Sequence, residues 1–293
     1  MDPALATPAH HSPLTDGHSV DLNLSADTEL QLIARRARRR LLRMHFERKV
    51  GHIGGNLSCL DALLALHHRI LRPEDSFVLS KGHSAGALYI TLWSLGLLAD
   101  ADLETFHAEG TLLAGHPVPG WHPRIPVATG SLGHGFPVAT GMAFARARCG
   151  QEGRVFCLTS DGEWQEGSMW ESLIFAAHQR LPNLTVMVDL NGLQGFGSTR
   201  EVASMEDLGQ RLAAFGIPVL HVDGHDHLAV TAALRRPGSA ILVLHTTKGA
   251  GVSFMENRME WHYLPLNAEQ YAQALDELSE DAVAAALAAG GGR

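Results

Sequence analysis

The chain has 293 residues, of which 45% are hydrophobic and 18% charged, and a formal net charge of −8. This length allows one large domain or two small ones, at roughly 150 residues per domain. The acidic balance argues against a general nucleic-acid-binding protein, and no apolar run approaches the ~20 residues that a membrane span needs.

The first 26 residues precede any regular pattern. They are rich in Pro, Ala, His and Ser and lack the apolar segment of a secretion signal, so we expect a flexible tail at 1–26. The region that follows, 27–293, has no internal repeat and no Pro/Gly/Ser-rich linker. It is predicted to form one continuous α/β domain.

From the tail onward, helical stretches alternate with short apolar runs. The predicted helices are 28–49, 59–70, 85–97, 138–148, 164–179, 205–215, 227–235 and an Ala-rich terminal helix, 268–289. The predicted strands are 76–80, 155–160, 184–190, 218–222 and 241–246. These strands are continuously apolar rather than alternating, which is typical of parallel strands covered on both faces. The order predicts a mostly parallel sheet with helices on both faces.

The first predicted helix carries a concentrated basic run. Between Arg35 and Lys49 there are seven arginines and one lysine, while apolar residues such as Leu30, Ala37 and Leu41 recur at helical spacing. We interpret the basic side as a solvated or partner-facing surface, with an anionic ligand as the alternative.

The cysteines indicate the cellular compartment. Cys59, Cys149 and Cys157 are odd in number, far apart and without metal-ligand spacing. Neither a disulfide framework nor a zinc site is predicted, and a reducing, cytoplasmic location fits best.

Four polar residues stand just past the ends of predicted strands. His83, Asp161, Asn191 and Lys248 each follow a different strand. Since open α/β sheets bind ligands at the carboxyl ends of their strands, the four residues predict one shared site.

Two of these residues suggest a metal-bridged diphosphate. Asp161 opens a helix after one strand, and Asn191 ends the next strand about 30 residues later, which is the length of one βαβ unit. Carboxylate and amide oxygens are ligands suited to Mg²⁺ or Ca²⁺. Gly162 allows a phosphate to approach the helix N-terminus. An isolated Asp-Gly pair is more typical of a turn, so the wider context decides.

That context is a resemblance to a known family. The stretch SDGEWQEGSMWESLIFAAHQRLPNLTVMVDLNGLQ resembles the thiamine diphosphate signature of the transketolase superfamily. Further segments resemble the family in the same order: GHIGGNLSCLDAL, FVLSKGHSAGALY, AGHP, VATGSLGHGFPVATGMA and HTTKGAGVSFMENRMEWHY. The match runs from about Arg36 to His262 and implies a thiamine diphosphate-binding fold, here its diphosphate-binding domain.

Carried over position by position, the resemblance implies a set of site residues. The metal ligands would be Asp161, Asn191 and the main-chain carbonyl of Leu193. The cofactor contacts would be His83, Leu132, Gly133, Asp161, Gly162, Glu163, Asn191, Lys248 and His262. The catalytic residues would be His52, His83, His116 and His262, with Glu166 at an interface between paired active sites of neighbouring subunits. Imidazoles are suited to exchanging protons with a substrate hydroxyl near neutral pH.

The sequence departs from the family pattern at three places. Ser160 replaces the first Gly of the signature, His134 stands where the family usually has Gln, and GWHPRIPVATG replaces the usual Gly-Val-Glu stretch. The first change affects a turn. The other two lie near the cofactor pocket in the family and put substrate preference in question.

The resemblance also implies a missing half. Transketolases take from a second, pyrimidine-binding domain the Glu that hydrogen-bonds the cofactor ring, and no position here matches it. We therefore expect a partner chain, the C-terminal (pyrimidine-binding) transketolase subunit, in an α₂β₂ assembly. The pair would transfer a two-carbon ketol unit from a ketose (phosphate) donor to an aldehyde. Without the partner, this chain would be inactive.

Other functions stay open from the sequence. One is the α subunit of a 2-oxo acid dehydrogenase, which the histidine segments disfavour. Another is a deoxyxylulose phosphate synthase, whose family normally keeps both domains in one chain. A third is a non-catalytic scaffold of the same fold. A plain nucleotide-binding protein is disfavoured because no G-x-G-x-x-G or P-loop motif follows a predicted strand.

Overall fold

A five-stranded parallel sheet forms the centre of the computed structural model, which describes residues 26–279. The strands are Ser76–Leu79 (β1), Val155–Ser160 (β2), Leu184–Leu190 (β3), Leu193–Gln194 (β4), Gly197–Ser198 (β5), Val219–Asp223 (β6) and Ala240–His245 (β7). The parallel sheet has the order β1-β2-β3-β7-β6, while β4 and β5 pair as a small antiparallel hairpin. The predicted parallel sheet is confirmed, and each predicted strand agrees to within one residue at either end.

Helices cover both faces of the sheet. They are Ala26–Arg48 (α1), Ile53–Arg69 (α2), Ala85–Ser94 (α3), Asp100–Leu103 (α4), Gly135–Arg148 (α5), Gly167–Gln179 (α6), Thr199–Ala203 (α7), Leu208–Ala213 (α8), His227–Leu234 (α9) and Ala268–Glu277 (α10). Short 3₁₀ turns lie at Gly82–Ser84, Gly162–Gln165 and Met259–His262.

The start of α2 differs from the sequence-based prediction. The helix begins at Ile53 rather than Cys59, since Gly54 and Gly55 lie inside it instead of interrupting it. A Cβ on Gly54 would come within 3.1 Å of Lys248 Cγ and of Trp261 Cβ. Gly54 is therefore required for close packing of α2 against Lys248 and Trp261. The sequence alone suggests only a flexible position there.

The core has one apolar layer on each side of the sheet. Phe77, Phe156 and Met187 belong to the layer that includes α1, α2 and α3. Val78, Cys157 and Val186 belong to the layer that includes α5, α6 and α8. Both faces of the strands are thus buried, which explains their continuous apolar sequences.

The arginines of α1 are largely structural. The Arg35 Nε atom donates to the Leu278 carbonyl at 2.9 Å, and Arg39 Nη1 donates to the Leu275 carbonyl at 2.7 Å. Both bonds satisfy carbonyls at the end of α10, where a helix leaves acceptors without partners. Arg38 pairs with buried Asp61, so much of the basic run stabilises helix packing.

The two predicted terminal regions fall mainly beyond the described part of the chain. Of the predicted tail, 1–26, residues 1–25 lie outside it, and Ala26 is the first residue of α1. The predicted terminal helix begins at Ala268 as expected, but α10 ends at Glu277. Residues 280–289 of that prediction lie outside the described residues.

Two further features concern the cysteines and the apolar character of the helices. Cys59, Cys149 and Cys157 are all free thiols, and the first and third are buried. Among the helices between residues 26 and 279, none combines the length and apolar character required to cross a bilayer.

Candidate active site

A cavity of about 230 Å³ opens at the carboxyl ends of the parallel strands. The four polar residues predicted to share a site, His83, Asp161, Asn191 and Lys248, all line it. The other predicted residues on its wall are His52, His116, Leu132, Gly162, Leu193 and His262. The structure thus brings segments that are far apart in sequence together at this edge of the sheet.

Asp161 lies directly after β2 with a buried carboxylate. Its Oδ1 accepts from the Gly162 N–H at 2.8 Å, and its Oδ2 accepts from the Gly192 N–H at 2.6 Å. Burial, together with the nearby Asp189 charge, raises the pKa of Asp161 to about 7. Each oxygen retains a further lone pair, so this carboxylate can bind a cation that would favour its ionised form.

Asn191 follows β3 and has a defined amide orientation. Its Oδ1 accepts from the Leu193 N–H at 3.0 Å, and its Nδ2 donates to Asp189 Oδ2 at 3.3 Å. The neighbouring Leu193 carbonyl accepts from Lys248 Nζ at 3.4 Å. Oxygen atoms of Asp161, Asn191 and Leu193 are thereby brought to the wall of one cavity.

These oxygens suit a hard divalent cation. A carboxylate, an amide carbonyl and a main-chain carbonyl are ligands of Mg²⁺ and Ca²⁺, whose remaining positions are filled by water or phosphate. Within residues 26–279, no three His, Cys, Asp or Glu side chains cluster as a metal cage. Such a cage is not required here, because the predicted set includes a single carboxylate.

Four histidines surround the opening of the cavity. The His52 ring centroid lies 5.7 Å from that of His83, 6.2 Å from His116 and 5.1 Å from His262. Burial lowers the pKa of each ring: to about 4 for His52, to about 3 for His262, well below 6.5 for His83, and more modestly for His116. The charges of Lys248 and Lys81 reinforce this effect for His262 and His83 respectively.

The backbone at His52 is strained. Its φ of 64° lies in the left-handed region, which is uncommon for residues other than glycine. The His52 N–H donates to the His262 carbonyl at 3.0 Å, and the His52 carbonyl accepts from Asn56 Nδ2 at 2.8 Å. These bonds hold the imidazole at the N-terminus of α2, facing the other three rings.

Three residues predicted as cofactor or catalytic contacts lie off the cavity wall. Glu163 is buried behind it, where its Oε1 accepts from Ser80 Oγ at 2.5 Å and from the Gly133 N–H at 3.2 Å. Glu163 and Gly133 therefore support the loop that carries Leu132. Glu166 is exposed beside Gly133 and reaches no cavity atom in the described chain.

Ser160 fits the turn that the family builds with glycine. Its N–H donates to Glu163 Oε2 at 2.8 Å, and its φ is not positive. The following Asp161 has φ of −65°, which any residue can adopt. The departure therefore leaves the turn intact.

A buried network that reaches the cavity wall at Lys81 was missed by the sequence analysis. Asp189, in β3, pairs with Lys81 and accepts from Ser58 Oγ at 2.6 Å and from Thr246 Oγ1. Burial opposes the charge on Lys81, but Asp189 raises the pKa of this ammonium. The available signal was a charged residue inside an apolar strand, since buried charges require partners.

The rim of the cavity is apolar and exposed. Phe196, at the tip of the β4–β5 hairpin, is 84% exposed, and Tyr263 is 54% exposed. Gly195 packs against the Tyr263 hydroxyl group, and a Cβ there would also lie 3.4 Å from His262 Cδ2. The hairpin and the segment around His262 thus form one wall.

The sequence matches the thiamine diphosphate binding domain of transketolase over residues 38–284. The chain belongs to the transketolase family. It is 39% identical over 268 residues to one subunit of the apulose-4-phosphate transketolase of Phocaeicola vulgatus, covering 86% of this chain and 94% of that one. It is 35% identical over 246 residues to a 6-deoxy-6-sulfo-D-fructose transketolase subunit of a Clostridium species, covering 79% of this chain and 90% of that one.

These matches distinguish a split transketolase from a fused one. The chain spans nearly the full length of those two subunits, and corresponds to the N-terminal subunit of a split transketolase, a transferase. Solved transketolases are longer. That of Leishmania mexicana superposes with a TM-score of 0.77 at 28% identity, covering 85% of this chain and 41% of that one. The transketolase of Campylobacter jejuni superposes with a TM-score of 0.78 at 26% sequence identity, covering 88% of this chain and 43% of that one.

The family match also bears on the fold and on the alternatives. The parallel sheet is the thiamine diphosphate-binding fold, as predicted. The matched relatives are transketolases, so the 2-oxo acid dehydrogenase alternative gains no support.

Proposed function

We propose that this transketolase subunit binds thiamine diphosphate and a divalent cation in the cavity and, with a partner chain, transfers a two-carbon ketol unit from a ketose to an aldehyde. The observation that carries the proposal is the convergence of Asp161, Asn191 and Lys248 with four histidines at one sheet edge. Each element supplies a different requirement of that reaction.

The anionic end of the cofactor is held by the inner part of the cavity. Oxygens of Asp161, Asn191 and Leu193 would hold Mg²⁺ or Ca²⁺, and the cation would supply positive charge for the diphosphate. Gly162 begins the 3₁₀ turn after β2, where main-chain N–H groups attract anions. Lys248 adds a positive charge, although burial lowers its pKa to about 8.

The histidines exchange protons with hydroxyl groups of the sugar. When bound, thiamine diphosphate supplies the carbon nucleophile for cleaving and remaking the C–C bond. His52 and His83 are neutral at pH 7 because of their lowered pKa values, so each has a ring nitrogen able to accept a proton from a substrate hydroxyl. The Nδ1 atom of His262 accepts from Lys248 Nζ, so this ring offers its Nε2–H as a hydrogen-bond donor to the substrate. His116 completes the ring of imidazoles around the entrance.

A partner chain completes the site. We infer that a pyrimidine-binding subunit covers the exposed rim at Phe196 and Tyr263 and supplies the missing carboxylate, in an α₂β₂ assembly. Exposed Glu166 would then lie at an interface between paired sites. The two relatives named as subunits support a two-chain enzyme.

The substrate is proposed to be an anionic ketose. The two relatives are named for apulose-4-phosphate and for 6-deoxy-6-sulfo-D-fructose, which carry a phosphate and a sulfo group respectively. Free Cys59, Cys149 and Cys157 are compatible with the reducing conditions of the cytoplasm, where we place the enzyme.

Reconstitution tests this function. The chain should be assayed for ketol transfer from phosphorylated ketoses, with thiamine diphosphate and Mg²⁺, both by itself and with a pyrimidine-domain partner chain. We expect activity only with the partner, and loss of more than about 100-fold for Asp161→Asn, since one ligand of the cation is weakened. Robust transfer by the chain without a partner would contradict the two-chain proposal.

Two controls separate the alternatives. Decarboxylation of 2-oxo acids by the same complex, without ketol transfer, would support the 2-oxo acid enzyme. Absence of thiamine diphosphate binding by calorimetry, with the partner present, would support a scaffold.

A further inference from the structure

A buried ion pair lies beneath the candidate cation site. Lys81 and Asp189 contact each other directly, and both side chains are fully inaccessible to solvent. Burying two charges has a large desolvation cost, so such a pair is weak evidence for stability by itself. Its position and its other bonds indicate a more specific role.

Asp189 accepts hydrogen bonds from three separate segments of the chain. Ser58 donates to it from α2, Lys81 from the turn after β1, and Thr246 from the loop after β7. Lys81 also donates to the Gly55 carbonyl at 3.0 Å. The carboxylate thereby ties α2 and the ends of β1, β3 and β7 together below the cavity.

The same carboxylate determines which way the Asn191 amide points. Asn191 Nδ2 donates to Asp189 Oδ2 at 3.3 Å, and the next oxygen in its reach, Ser58 Oγ, lies at 3.5 Å. Both contacts are acceptors for an amide N–H. The amide oxygen is left on the opposite side, where it accepts from the Leu193 N–H at 3.0 Å.

We propose that Asp189, held in place by Lys81, positions the Asn191 amide so that its oxygen is presented to the divalent cation. This inference rests on the proposed function, in which Asn191 is a cation ligand. Lys81 is part of the cavity wall, but its Nζ is bonded to Asp189 and to the Gly55 carbonyl, and Asp189 lies off the wall. Both are therefore positioning residues.

The ammonium group serves two purposes in this arrangement. It donates to Asp189, whose carboxylate also accepts from Ser58, Thr246 and Asn191. It also places a positive charge beside Asp189, which offsets part of the negative charge next to Asp161. Residues that orient metal ligands in this way typically change metal affinity by about 10- to 100-fold when replaced.

The decisive variant replaces the pair without changing net charge. A Lys81→Met/Asp189→Leu double variant substitutes apolar side chains of similar size, which buried ion pairs often tolerate. It removes the acceptor for Asn191 Nδ2 but leaves the summed charge near the cation unaltered. Mg²⁺ binding should be measured by calorimetry on the two-chain complex at saturating thiamine diphosphate. We expect the Kd for Mg²⁺ to rise about 10-fold or more, with a melting temperature close to that of the wild type.

A double-mutant cycle tests whether the effect passes through Asn191. In an Asn191→Ala background, the Lys81→Met/Asp189→Leu change should no longer affect the Kd for Mg²⁺, since the amide to be positioned is absent. Equal effects in both backgrounds would overturn the proposal. So would an unchanged Kd for Mg²⁺ in the folded double variant.

A second buried carboxylate provides the matched control. Asp75 pairs with Arg72 and accepts from the Arg154 N–H at 2.7 Å, at the opposite edge of the sheet. Asp75→Asn should lower the melting temperature while the Kd for Mg²⁺ stays within two-fold of wild type, roughly the experimental precision expected for such a distant site. If the wild-type complex takes up no Mg²⁺, the proposed function itself fails. If it does and the variants bind equally well, only the positioning role fails.

Discussion

The Nζ atom of Lys248 lies 3.1 Å from Nδ1 of His262. An ammonium group can only donate, so Nδ1 of His262 is the acceptor and the ring hydrogen resides on Nε2. The contact also explains part of the low pKa of His262, to which burial contributes most and the Lys248 charge next. One side chain thus sets both the charge in the cavity and the tautomer of a histidine that lines it.

Replacing Lys248 should weaken cofactor binding. Lys248→Met keeps an unbranched apolar stem but removes the charge, and a hydrogen bond to a charged group contributes about 1.5–3 kcal/mol, or roughly 10- to 100-fold in Kd. We expect the Kd for thiamine diphosphate to rise by that factor, measured by calorimetry on the two-chain complex. Lys248→Arg, which stays charged, is the control and should lose less. A Met variant that binds within two-fold of wild type would show that Lys248 does not contact the diphosphate.

The hairpin wall of the cavity provides a steric prediction. Gly195→Ala would place a methyl group against the Tyr263 hydroxyl and displace the wall that carries Phe196. We expect a several-fold rise in the Kd for thiamine diphosphate, in line with the cost of overpacking a close contact, about 1–3 kcal/mol. Adding Tyr263→Phe removes the obstructing oxygen and should recover much of the affinity. Failure of the double variant to improve on Gly195→Ala would place the effect elsewhere.

Two glycines with nearly the same φ angle allow the cost of a left-handed backbone to be distinguished from the cost of steric overlap at an added Cβ. Gly133 has φ of 74° and Gly96 has φ of 72°. A Cβ at Gly96 would meet no atom within 4 Å, but at Gly133 it would lie 2.7 Å from Glu166 Cβ and from Ser168 Oγ. Gly96→Ala should cost about 1 kcal/mol from the left-handed backbone alone. Gly133→Ala should cost about 3 kcal/mol, because overpacking is added.

Urea unfolding of both variants at pH 7 would measure this difference. The Gly133 variant should also weaken thiamine diphosphate binding, since the Gly133 N–H donates to Glu163 next to the cavity. Equal destabilisation by the two substitutions would mean that the loop around Gly133 relaxes freely.

The position of the site was largely predictable from the sequence. Asp161, Asn191 and Lys248 each follow a run of apolar, β-branched residues, and parallel strands necessarily bring their carboxyl ends to one edge. Each prediction needs only local information, namely an apolar strand followed by a polar residue. The parallel topology then brings these residues together. That is why the strands agree so closely with the structure.

The supports of the site were not predictable in the same way. Asp189 and Lys81 are 108 residues apart in the sequence but contact each other in the structure. No local sequence pattern around either residue predicts this contact. Glu163 looked like a cofactor contact by its place in the motif, but its side chain turns to Ser80 and the Gly133 N–H behind the wall. Tertiary packing decides such contacts.

His67 provides a prediction for the acid stability of the chain. It is buried in α2 against Phe77, with ring centroids 5.0 Å apart, and neither ring nitrogen has a hydrogen-bond partner in the described chain. Burial, with help from Arg124, lowers its pKa from 6.5 to about 3. Below pH 6.5 the unfolded chain therefore binds a proton that the folded chain does not, and the free energy of unfolding falls as the pH falls.

Between pH 7 and pH 5 this difference should remove about 2 kcal/mol from the free energy of unfolding. His67→Leu has no proton to bind, so its loss over this interval should be smaller than that of the wild type by about the same amount. Some sensitivity will remain, because burial also lowers the pKa of His45, to about 4. Urea unfolding of the full chain at the two pH values measures the effect, with His178→Leu on the exposed face of α6 as the control. If His67→Leu loses as much stability as the wild type, His67 is protonated in the folded chain, and a partner for its charge must form at low pH.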